Sequence, residues 1–403
     1  MVKESLEYRV DIEREDVKQK IDESKKIYQT YYDRFRFQLD FGNPNNIHRL
    51  YDLSKNEGIF EKAKDIRSLI YGKDMHYYGV IYLSDLCENQ CKFCPGSMDN
   101  DGRELRMMTI DQAVEETKQL AEKGFKEICY LTGEYPGTNE FPDYIISRLK
   151  KIDELDEDFE IILNIPTQTT EGFRKIKKAV KNKKLQFRVF QETYNPNVYS
   201  EMIPSGPKAD YDFRRQSQAR ALDAGFDNVG LGALFGLNRY PLEEIEGLKQ
   251  HFEDIKKEYK IAPKRVALPF ANKPSGCNVT VPYLLDYGQE RNTKDNRIRG
   301  EFKANIYEKT NELIYALARL AMPTTGIVSS ERDTPEMLEI LDNYATCSTL
   351  GVQDRVGGNL GEYEVVKKGD NQEHFEQATT YPRYHEETLN KMIDKGYFPI
   401  IKK

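Results

Sequence analysis

Three cysteines that could bind a metal lie within eight residues of one another, in the segment Cys87-Glu-Asn-Gln-Cys91-Lys-Phe-Cys94. The Cys-x3-Cys-x2-Cys spacing brings three soft thiolate ligands together, and such ligands select zinc or an iron–sulfur cluster. Six cysteines in 403 residues are too few for a disulfide scaffold, and the other three are scattered along the chain. The segment is therefore predicted to bind a metal.

The number of ligands distinguishes the possible metal sites. A structural zinc site needs four ligands, yet the next cysteine, Cys129, stands alone and the five histidines form no pair at the usual spacing. A ferredoxin-type cluster also takes four cysteines. Three cysteines on a [4Fe-4S] cluster leave one iron open, where S-adenosylmethionine (SAM) can bind through its amine and carboxylate. A zinc site, or buried thiols without a metal, is the alternative.

Composition argues against several other classes of protein. The chain has 60 Lys and Arg against 67 Asp and Glu, a net charge of −7, and the two signs are interspersed. We therefore expect no nucleic-acid partner. There is no run of 18 apolar residues, and the charged N-terminal segment has no apolar stretch typical of a signal peptide. A cytoplasmic location without a membrane partner is expected.

Eight short apolar segments, most of them followed by an amphipathic helix, must position these cysteines. The segments are 78–83, 127–131, 159–165, 185–190, 228–234, 265–269, 325–328 and 345–350. Alternating strands and helices favour an α/β fold with parallel strands. Eight such units predict a closed (β/α)8 barrel of the TIM type, whose loops after the strands form the active site. An open, doubly wound sheet is the alternative, because periodicity does not reveal closure.

We divide the chain into an N-terminal helical extension (1–75), the barrel (76–355) and a short C-terminal closing segment (356–403). The last of these is predicted to contain one helix over 384–395. Residues 270–302 form a long, polar and irregular insertion after the sixth strand. That insertion could shape the active site from one side.

The cysteine motif, with Phe93 before its third cysteine, resembles that of the radical SAM superfamily. Within it the chain resembles the aromatic amino-acid lyases, such as the tyrosine lyases of thiamine biosynthesis (2-iminoacetate synthase) and of [FeFe]-hydrogenase maturation. The resemblance covers about residues 20–360. It implies a [4Fe-4S] cluster on Cys87, Cys91 and Cys94, SAM as the second cofactor, and reduced flavodoxin or ferredoxin as the electron donor.

Two further segments carry the resemblance toward SAM. The first, Leu131-Thr-Gly133-Glu134, resembles the family's Gly-Glu turn, where glycine allows close backbone approach and the carboxylate can accept from the ammonium of SAM. The second, from Phe190 to Arg214, is the most family-specific stretch. In it Glu192 is expected at the barrel mouth, and Arg214 is expected to bind the SAM carboxylate through its guanidinium.

A third segment of the resemblance is Val229-Gly-Leu-Gly-Ala-Leu234-Phe-Gly236, an apolar strand that enters a glycine-rich loop. It fits a strand end that contacts adenine, with Leu234 as the cofactor-binding residue. A plain buried strand followed by a turn is the alternative. Gly326-Ile-Val-Ser329-Ser-Glu-Arg332 after the seventh strand also resembles the family, and it places Ser329 and Arg332 as candidate pocket residues.

The resemblance implies a radical SAM carbon–carbon lyase that acts on a small-molecule substrate. Reductive cleavage of SAM would give a 5′-deoxyadenosyl radical, which would abstract hydrogen from the amine of an aromatic amino acid and so break its Cα–Cβ bond. Tyrosine would give dehydroglycine and p-cresol. Tryptophan, another amino acid or a related small molecule is the alternative substrate. A non-enzymatic iron–sulfur scaffold is the alternative of another class.

The chain departs from the tyrosine lyases after the sixth strand. Their Ser-x-Pro-Arg-x-Arg-Pro run, whose first arginine pairs with the substrate carboxylate, is here Ala267-Leu-Pro-Phe270-Ala-Asn272-Lys273-Pro. A phenyl ring cannot pair with a carboxylate, so either Lys273 replaces the arginine or the substrate differs. No catalytic residue is assigned. The predicted substrate-pocket residues are Tyr82, Phe270, Asn272, Lys273, Ser329 and Arg332.

Overall fold

The structure, a computed structural model, describes residues 8–100, 106–135, 141–271, 279–283, 297–352, 356–360 and 385–400. The strands are β1 (Asp74–Ser84), β2 (Glu127–Thr132), β3 (Glu160–Asn164), β4 (Leu185–Arg188), β5 (Asn228–Gly232), β6 (Arg265–Ala267), β7 (Gly326–Ser329), β8 (Cys347–Thr349) and β9 (Phe398–Ile400). The helices are α1 (Glu15–Phe35), α2 (Pro44–Asn56), α3 (Ile59–Tyr71), α4 (Ile110–Glu122), α5 (Phe141–Asp153), α6 (Thr170–Ala179), α7 (Pro196–Met202), α8 (Tyr211–Arg215), α9 (Ser217–Asp223), α10 (Pro241–Tyr259), α11 (Arg297–Ala321), α12 (Pro335–Leu341) and α13 (His385–Asp394). Short 3-10 turns cover Pro207–Ala209 and Gly358–Leu360.

The strands β1 to β8 form a closed parallel barrel. Each strand pairs with the next, and β1 pairs in parallel with both β2 and β8, for example Val80 with Cys129 and His76 with Cys347. All eight predicted apolar segments are strands of this barrel. The predicted (β/α)8 barrel is confirmed, and the open-sheet alternative is wrong because β1 and β8 are hydrogen-bonded.

Side-chain caps fix where several helices of the barrel begin. Thr109 and Gln112 form a capping box at the start of α4, and Thr169 accepts a hydrogen bond from Gly172 N at the start of α6. Such caps satisfy the backbone N–H groups that have no partner within the helix. They set the lengths of the loops that carry the site.

The structure contains a strand at the edge of the sheet that the sequence did not predict. A ninth strand, β9, pairs in parallel with the start of β1, Asp74 opposite Phe398. Three residues are too few for a strand period to be visible in the sequence. Between β4 and β5 the chain forms three short helices, α7, α8 and α9, and the last two are separated at Gln216. The predicted C-terminal helix is present as α13.

The hydrophobic core has two large parts. One joins the N-terminal helices α1 to α3 to α10 and α11 on the outside of the barrel, and the other joins the strands to the helices α4 to α6. Helix α11 begins at Arg297, so the end of the polar insertion that we predicted to be irregular is helical. Among the described residues, no helix is long and apolar enough to cross a membrane.

Candidate active site at the mouth of the barrel

The three motif cysteines lie in the loop directly after β1. All three are free thiols, and they line one cavity of about 1140 Å³ that opens to solvent at the carboxyl ends of the strands. Backbone hydrogen bonds hold the loop on both sides: Glu88 N donates to Glu134 O at 2.8 Å, and Lys92 N donates to Met202 O at 2.9 Å. The cysteine loop is therefore fixed by the segments that follow β2 and β4.

Two glycines allow these segments to approach the cysteine loop. A Cβ atom on Gly133 would lie 2.1 Å from the Leu86 carbonyl oxygen, which is far inside van der Waals contact. Gly206 has φ +98°, and a Cβ there would lie 2.7 Å from Asn89 Cα. Only glycine fits both positions. The close approach at Gly133 is to the cysteine loop, whereas the sequence predicted an approach to the ligand.

Asn89, between the first two cysteines, connects the three segments. Its Nδ2 donates to the Glu134 carboxylate and lies 3.5 Å from Cys87 Sγ. Its Oδ1 accepts from Lys208 N at 2.9 Å. The side chain is 3% exposed, so these polar atoms depend on one another. Sequence reasoning missed Asn89, although its position inside the motif was the signal that could have found it.

Buried charges line the cavity together with the cysteines. Lys208 Nζ lies 2.5 Å from Glu192 Oε1, and Arg214 lies 3.9 Å from Glu134 and 4.0 Å from Glu192 between nearest charged atoms. Arg214 also donates through Nε to Phe190 O at 2.9 Å. Two carboxylates and two cations thus share the site. Lys208 lies within the family-specific stretch from Phe190 to Arg214, but it was not predicted to have this role.

The backbone of Glu192 is unusual, because its φ of +68° lies in the left-handed region that side chains rarely adopt. Leu234 N donates to Glu192 O at 2.7 Å, which holds this conformation and joins the end of β4 to the segment after β5. Strained residues of this kind persist only where the surroundings fix them, and they are concentrated at functional sites.

Burial and charge act on the titrating groups in opposite directions. Burial raises the pKa of Cys94 to about 11 and raises that of Cys91 further, although the Lys208 ammonium opposes both. Burial lowers the pKa of Lys208, but the Glu192 carboxylate and Cys91 outweigh it and hold that pKa well above its usual range. Lys208 is therefore a cation that favours negative charge on the cysteines.

The residues of this cavity fit a [4Fe-4S] cluster and SAM. Three thiols are the donor set that leaves one iron of the cluster open for a second ligand. The carboxylates of Glu134 and Glu192 can accept from an ammonium group, and the guanidinium of Arg214 suits a carboxylate. In the described part of the chain, no three Cys, His, Asp or Glu side chains converge on a position for a single metal ion.

Most of the predicted cofactor residues meet in this cavity. Its lining includes Cys87, Cys91, Phe93, Cys94, Gly133, Glu134, Glu192, Arg214, Leu234 and Arg332. Phe93 is 9% exposed and lies under Lys208, whose Nζ is 5.6 Å from the ring centroid. Asn272 and Lys273 lie outside the described residues.

A second cavity continues into the barrel. Predicted pocket residues Tyr82 and Arg332 line it, together with aromatic and aliphatic side chains from several strands. The two cavities share one wall, formed by Leu131, Asn164, Phe190 and Arg332. A molecule in the inner cavity would therefore lie next to a cofactor held beside the cysteines.

Two predicted substrate residues line neither cavity. Phe270 stacks on Phe235 with ring centroids 5.4 Å apart and also contacts Phe41 and Tyr307, so it belongs to the core between the barrel and the outer helices. Ser329 is fully buried and donates to Asp342 at 3.1 Å. Val328, the residue before Ser329 in β7, lines the inner cavity instead. Successive side chains of a strand point to opposite faces, so Ser329 points away from that cavity.

A closed parallel barrel, with three free thiols and buried charges at the carboxyl ends of its strands, defines the class. Such a barrel fits an iron–sulfur cluster with SAM beside it. Residues 81–252 match the family model described as Radical SAM superfamily. The predicted resemblance is confirmed, and a [4Fe-4S] cluster and SAM are the cofactors of that family.

Individual relatives support the same group. The chain is 29% identical to 2-iminoacetate synthase of Escherichia coli (strain K12) over 184 residues, which is 45% of this chain and 46% of that protein. It is 25% identical to the [FeFe] hydrogenase maturase subunit HydE of Thermotoga maritima over 208 residues, 51% of this chain and 57% of that protein. The chain thus spans about half the length of the curated relatives it matches.

A solved structure extends the fold similarity over nearly the whole chain. The FeFe-hydrogenase maturase HydG from Carboxydothermus hydrogenoformans superposes with a TM-score of 0.70 at 24% identity, covering 95% of this chain and 85% of that one. At this identity the likeness shows the fold alone.

Proposed function

We propose that the chain is a radical SAM lyase that cleaves the Cα–Cβ bond of an aromatic amino acid. The observation that carries the proposal is the shared wall between the two cavities, which places a substrate beside the cofactor site. Similarity to 2-iminoacetate synthase supports an amino acid as the substrate. Tyrosine, giving dehydroglycine and p-cresol, is the first substrate to test.

Each part of the cofactor site has a proposed role. Cys87, Cys91 and Cys94 bind the cluster, which together with SAM supplies a 5′-deoxyadenosyl radical. Glu134 and Glu192 accept hydrogen bonds from the ammonium of SAM, while Arg214 contacts its carboxylate. Leu234, 6% exposed, offers an apolar surface at the end of β5 for the adenine ring. An electron donor, reduced flavodoxin or ferredoxin, completes the proposed system.

The inner cavity suits a small molecule with an apolar body. Its lining combines Tyr78, Tyr82 and Phe190 with Val80 and Val328. The polar and charged residues of the lining are Asn164, Arg188, Ser330, Glu331, Arg332 and Thr349. A largely apolar lining with a few convergent polar groups is typical of small-molecule sites.

One observation favours a substrate other than tyrosine for the same radical SAM reaction. Phe270 occupies the position where the tyrosine lyases have a carboxylate-binding arginine, and it is packed in the core. Tryptophan, another amino acid or a related small molecule is therefore the second candidate.

The test begins with anaerobic reconstitution of the full chain with iron and sulfide. After reduction with dithionite in the presence of SAM, 5′-deoxyadenosine is measured by chromatography with and without tyrosine, tryptophan and phenylalanine. We expect about four irons per chain and 5′-deoxyadenosine, with p-cresol formed from tyrosine. Cys91→Ala should lose the cluster, whereas Cys347→Ala, in a buried β8 position far from the motif, should keep it.

Other outcomes identify the alternatives. Turnover of tryptophan but not of tyrosine would assign the second candidate substrate. A full cluster without any 5′-deoxyadenosine would identify a non-enzymatic iron–sulfur scaffold. Bound zinc in place of iron, in material purified without oxygen, would contradict the cofactor assignment itself.

A further inference from the structure

The inner cavity contains a buried cation without a counter-charge. Arg188, the last residue of β4, lines this cavity and is 6% exposed. Within the described residues, its Nε and Nη1 atoms have no hydrogen-bond partner and it takes part in no ion pair. Its Nη2 lies 3.6 Å from Cys129 Sγ, a weak acceptor. Most of the hydrogen-bonding capacity of this guanidinium is therefore unused.

The neighbours of Arg188 do not neutralise it. Burial raises the pKa of both Tyr78 and Cys129, so each stays protonated and neutral, and the Tyr78 ring lies 4.3 Å from the guanidinium carbon. The Glu127 carboxylate already pairs with Arg265 and, at 2.6 Å, with Lys264. Glu331 also lines the inner cavity, but its carboxylate accepts hydrogen bonds from Gly351 N at 3.0 Å and Val352 N at 2.8 Å. Among the described residues, no carboxylate therefore forms an ion pair with Arg188.

A glycine on the neighbouring strand leaves space for the Arg188 side chain. A Cβ atom on Gly230 of β5 would lie 2.7 Å from Arg188 Cγ, and one on Gly232 would lie 2.3 Å from Phe190 Cδ1. Two glycines on the neighbouring strand thus accommodate two side chains that line the inner cavity. Because a buried charge without a partner destabilises a folded protein, a position built to hold one indicates a ligand.

We infer that Arg188 binds the carboxylate of the substrate, so that the inner cavity takes a small organic acid with an apolar or aromatic body. This inference rests on the proposed radical SAM function and names the substrate class of the same site. It also explains how the chain can act without an arginine at position 270. The carboxylate is bound from β4, inside the barrel, rather than from the loop after β6.

The position of Arg188 sets the direction in which the substrate lies. Arg188 precedes Phe190, a residue of the shared wall, by two positions. At about 3.3 Å per residue, the Arg188 backbone lies about 6 to 7 Å deeper in the barrel than the wall. A substrate held by its carboxylate at Arg188 therefore extends the rest of its structure toward the cofactor cavity.

Binding measurements on the reconstituted full chain with SAM test this inference. Isothermal titration under anaerobic conditions would compare tyrosine, tryptophan and phenylalanine, and the amine-free acid 3-(4-hydroxyphenyl)propionate, with tyramine, tryptamine and phenethylamine. We expect at least one acid to bind about tenfold or more tightly than the matching amine, since charge-assisted pairs are the strong ones. If every amine binds as tightly as its acid, the inference is overturned.

Variants assign that preference to a residue. Arg188→Met should remove the preference for the acid, and Arg188→Lys should retain part of it. Gly230→Ala keeps the charge but displaces the Arg188 stem, and it should weaken acid binding as well. Arg332→Met is the matched comparison, since Arg332 also lines the inner cavity. Loss of the preference in Arg332→Met with full retention in Arg188→Met would overturn the assignment.

A stability measurement separates ligand binding from a structural role. If Arg188 is unpaired in the free protein, Arg188→Met should raise the melting temperature while it weakens acid binding. A fall in melting temperature would mean that Arg188 is a structural residue. The proposed function is judged separately, from 5′-deoxyadenosine formed by the unaltered chain with dithionite and SAM. That result does not depend on Arg188.

Discussion

Lys208 Nζ lies 2.5 Å from Glu192 Oε1 beside the cysteine loop, and the two side chains are 13% and 8% exposed. The pair joins the 3-10 turn at Pro207–Ala209 to the strained residue at the end of β4. Asn89 binds the backbone of the same lysine, at 2.9 Å. The charges of the cofactor site therefore also hold the loop that carries the cysteines.

Removing the lysine should be costly for stability. In Lys208→Met the Glu192 carboxylate is left buried without its main partner, and breaking a buried pair in this way costs about 3–5 kcal/mol. We expect that decrease in the free energy of urea unfolding, together with less iron per chain after reconstitution. The control is Lys177→Met, which removes a more exposed pair with Asp227 and should cost less than about 1 kcal/mol. An equal decrease in the free energy of unfolding in the two variants would contradict the prediction.

Gly133→Ala should damage the cysteine loop specifically. The added methyl group would lie 2.1 Å from the Leu86 carbonyl oxygen, which is backbone and cannot rotate away. We expect the loop to shift and iron binding to fall severalfold, as measured by iron content and absorbance near 400 nm. Gly172→Ala is the matched control, because its Cβ would meet side-chain atoms rather than backbone, the nearest being Gln168 Oε1 at 3.1 Å and Gln168 Cβ at 3.2 Å. Normal iron content in Gly133→Ala would show that the close approach is not needed.

A buried carboxyl group should give the chain a measurable pH dependence. Burial raises the pKa of Asp333 to about 6 against 3.8, although Tyr307 donates to it at 2.5 Å and Asn311 at 3.0 Å. Between those values the folded state holds a proton that the unfolded state has lost, so stability falls as pH rises through this window. The free energy of unfolding falls by about 3 kcal/mol across this window, at about 1.36 kcal/mol per pKa unit.

Asp333→Asn removes this titration. The stability of the variant relative to the unaltered chain should rise by up to about 3 kcal/mol between pH 4 and pH 7, measured by urea unfolding at several pH values. Tyr307→Phe serves as the directional control. It removes a hydrogen bond that lowers the pKa of Asp333, so the fall in stability should continue to a higher pH. A constant difference between Asp333→Asn and the unaltered chain at all pH values would exclude the titration.

Much of the fold and of the cofactor site could be predicted from the sequence because the signals are local. Strand and helix periods are visible within single segments, and the three cysteines lie in one of them. Glu134, Glu192 and Arg214 follow predicted strands, and the loops after parallel strands meet at one end of a barrel. Their common cavity thus follows from the topology.

The inner cavity could not be predicted in the same way. Whether Phe270 faces a substrate or the outer helices depends on the packing of Phe41 and Tyr307, which are distant in sequence. Arg188 ends an ordinary apolar strand segment, and its lack of a partner depends on side chains from other strands. Ser329 was wrongly predicted to line the pocket, which its neighbour Val328 lines instead. The four residues of β7 are too few to show from the sequence which face of the strand points into the barrel.

Restoring the relatives' arginine should harm this chain rather than help it. Phe270 is 7% exposed among Phe41, Phe235 and Tyr307, so Phe270→Arg places a charge in an aromatic core. Loss of a buried phenylalanine alone costs about 3–5 kcal/mol, and the buried charge adds to it. We expect a loss of at least that size in the free energy of unfolding and no gain in tyrosine binding. Phe270→Leu, which keeps the site apolar, should cost clearly less. Tighter tyrosine binding by Phe270→Arg at unchanged stability would mean that position 270 faces the substrate after all.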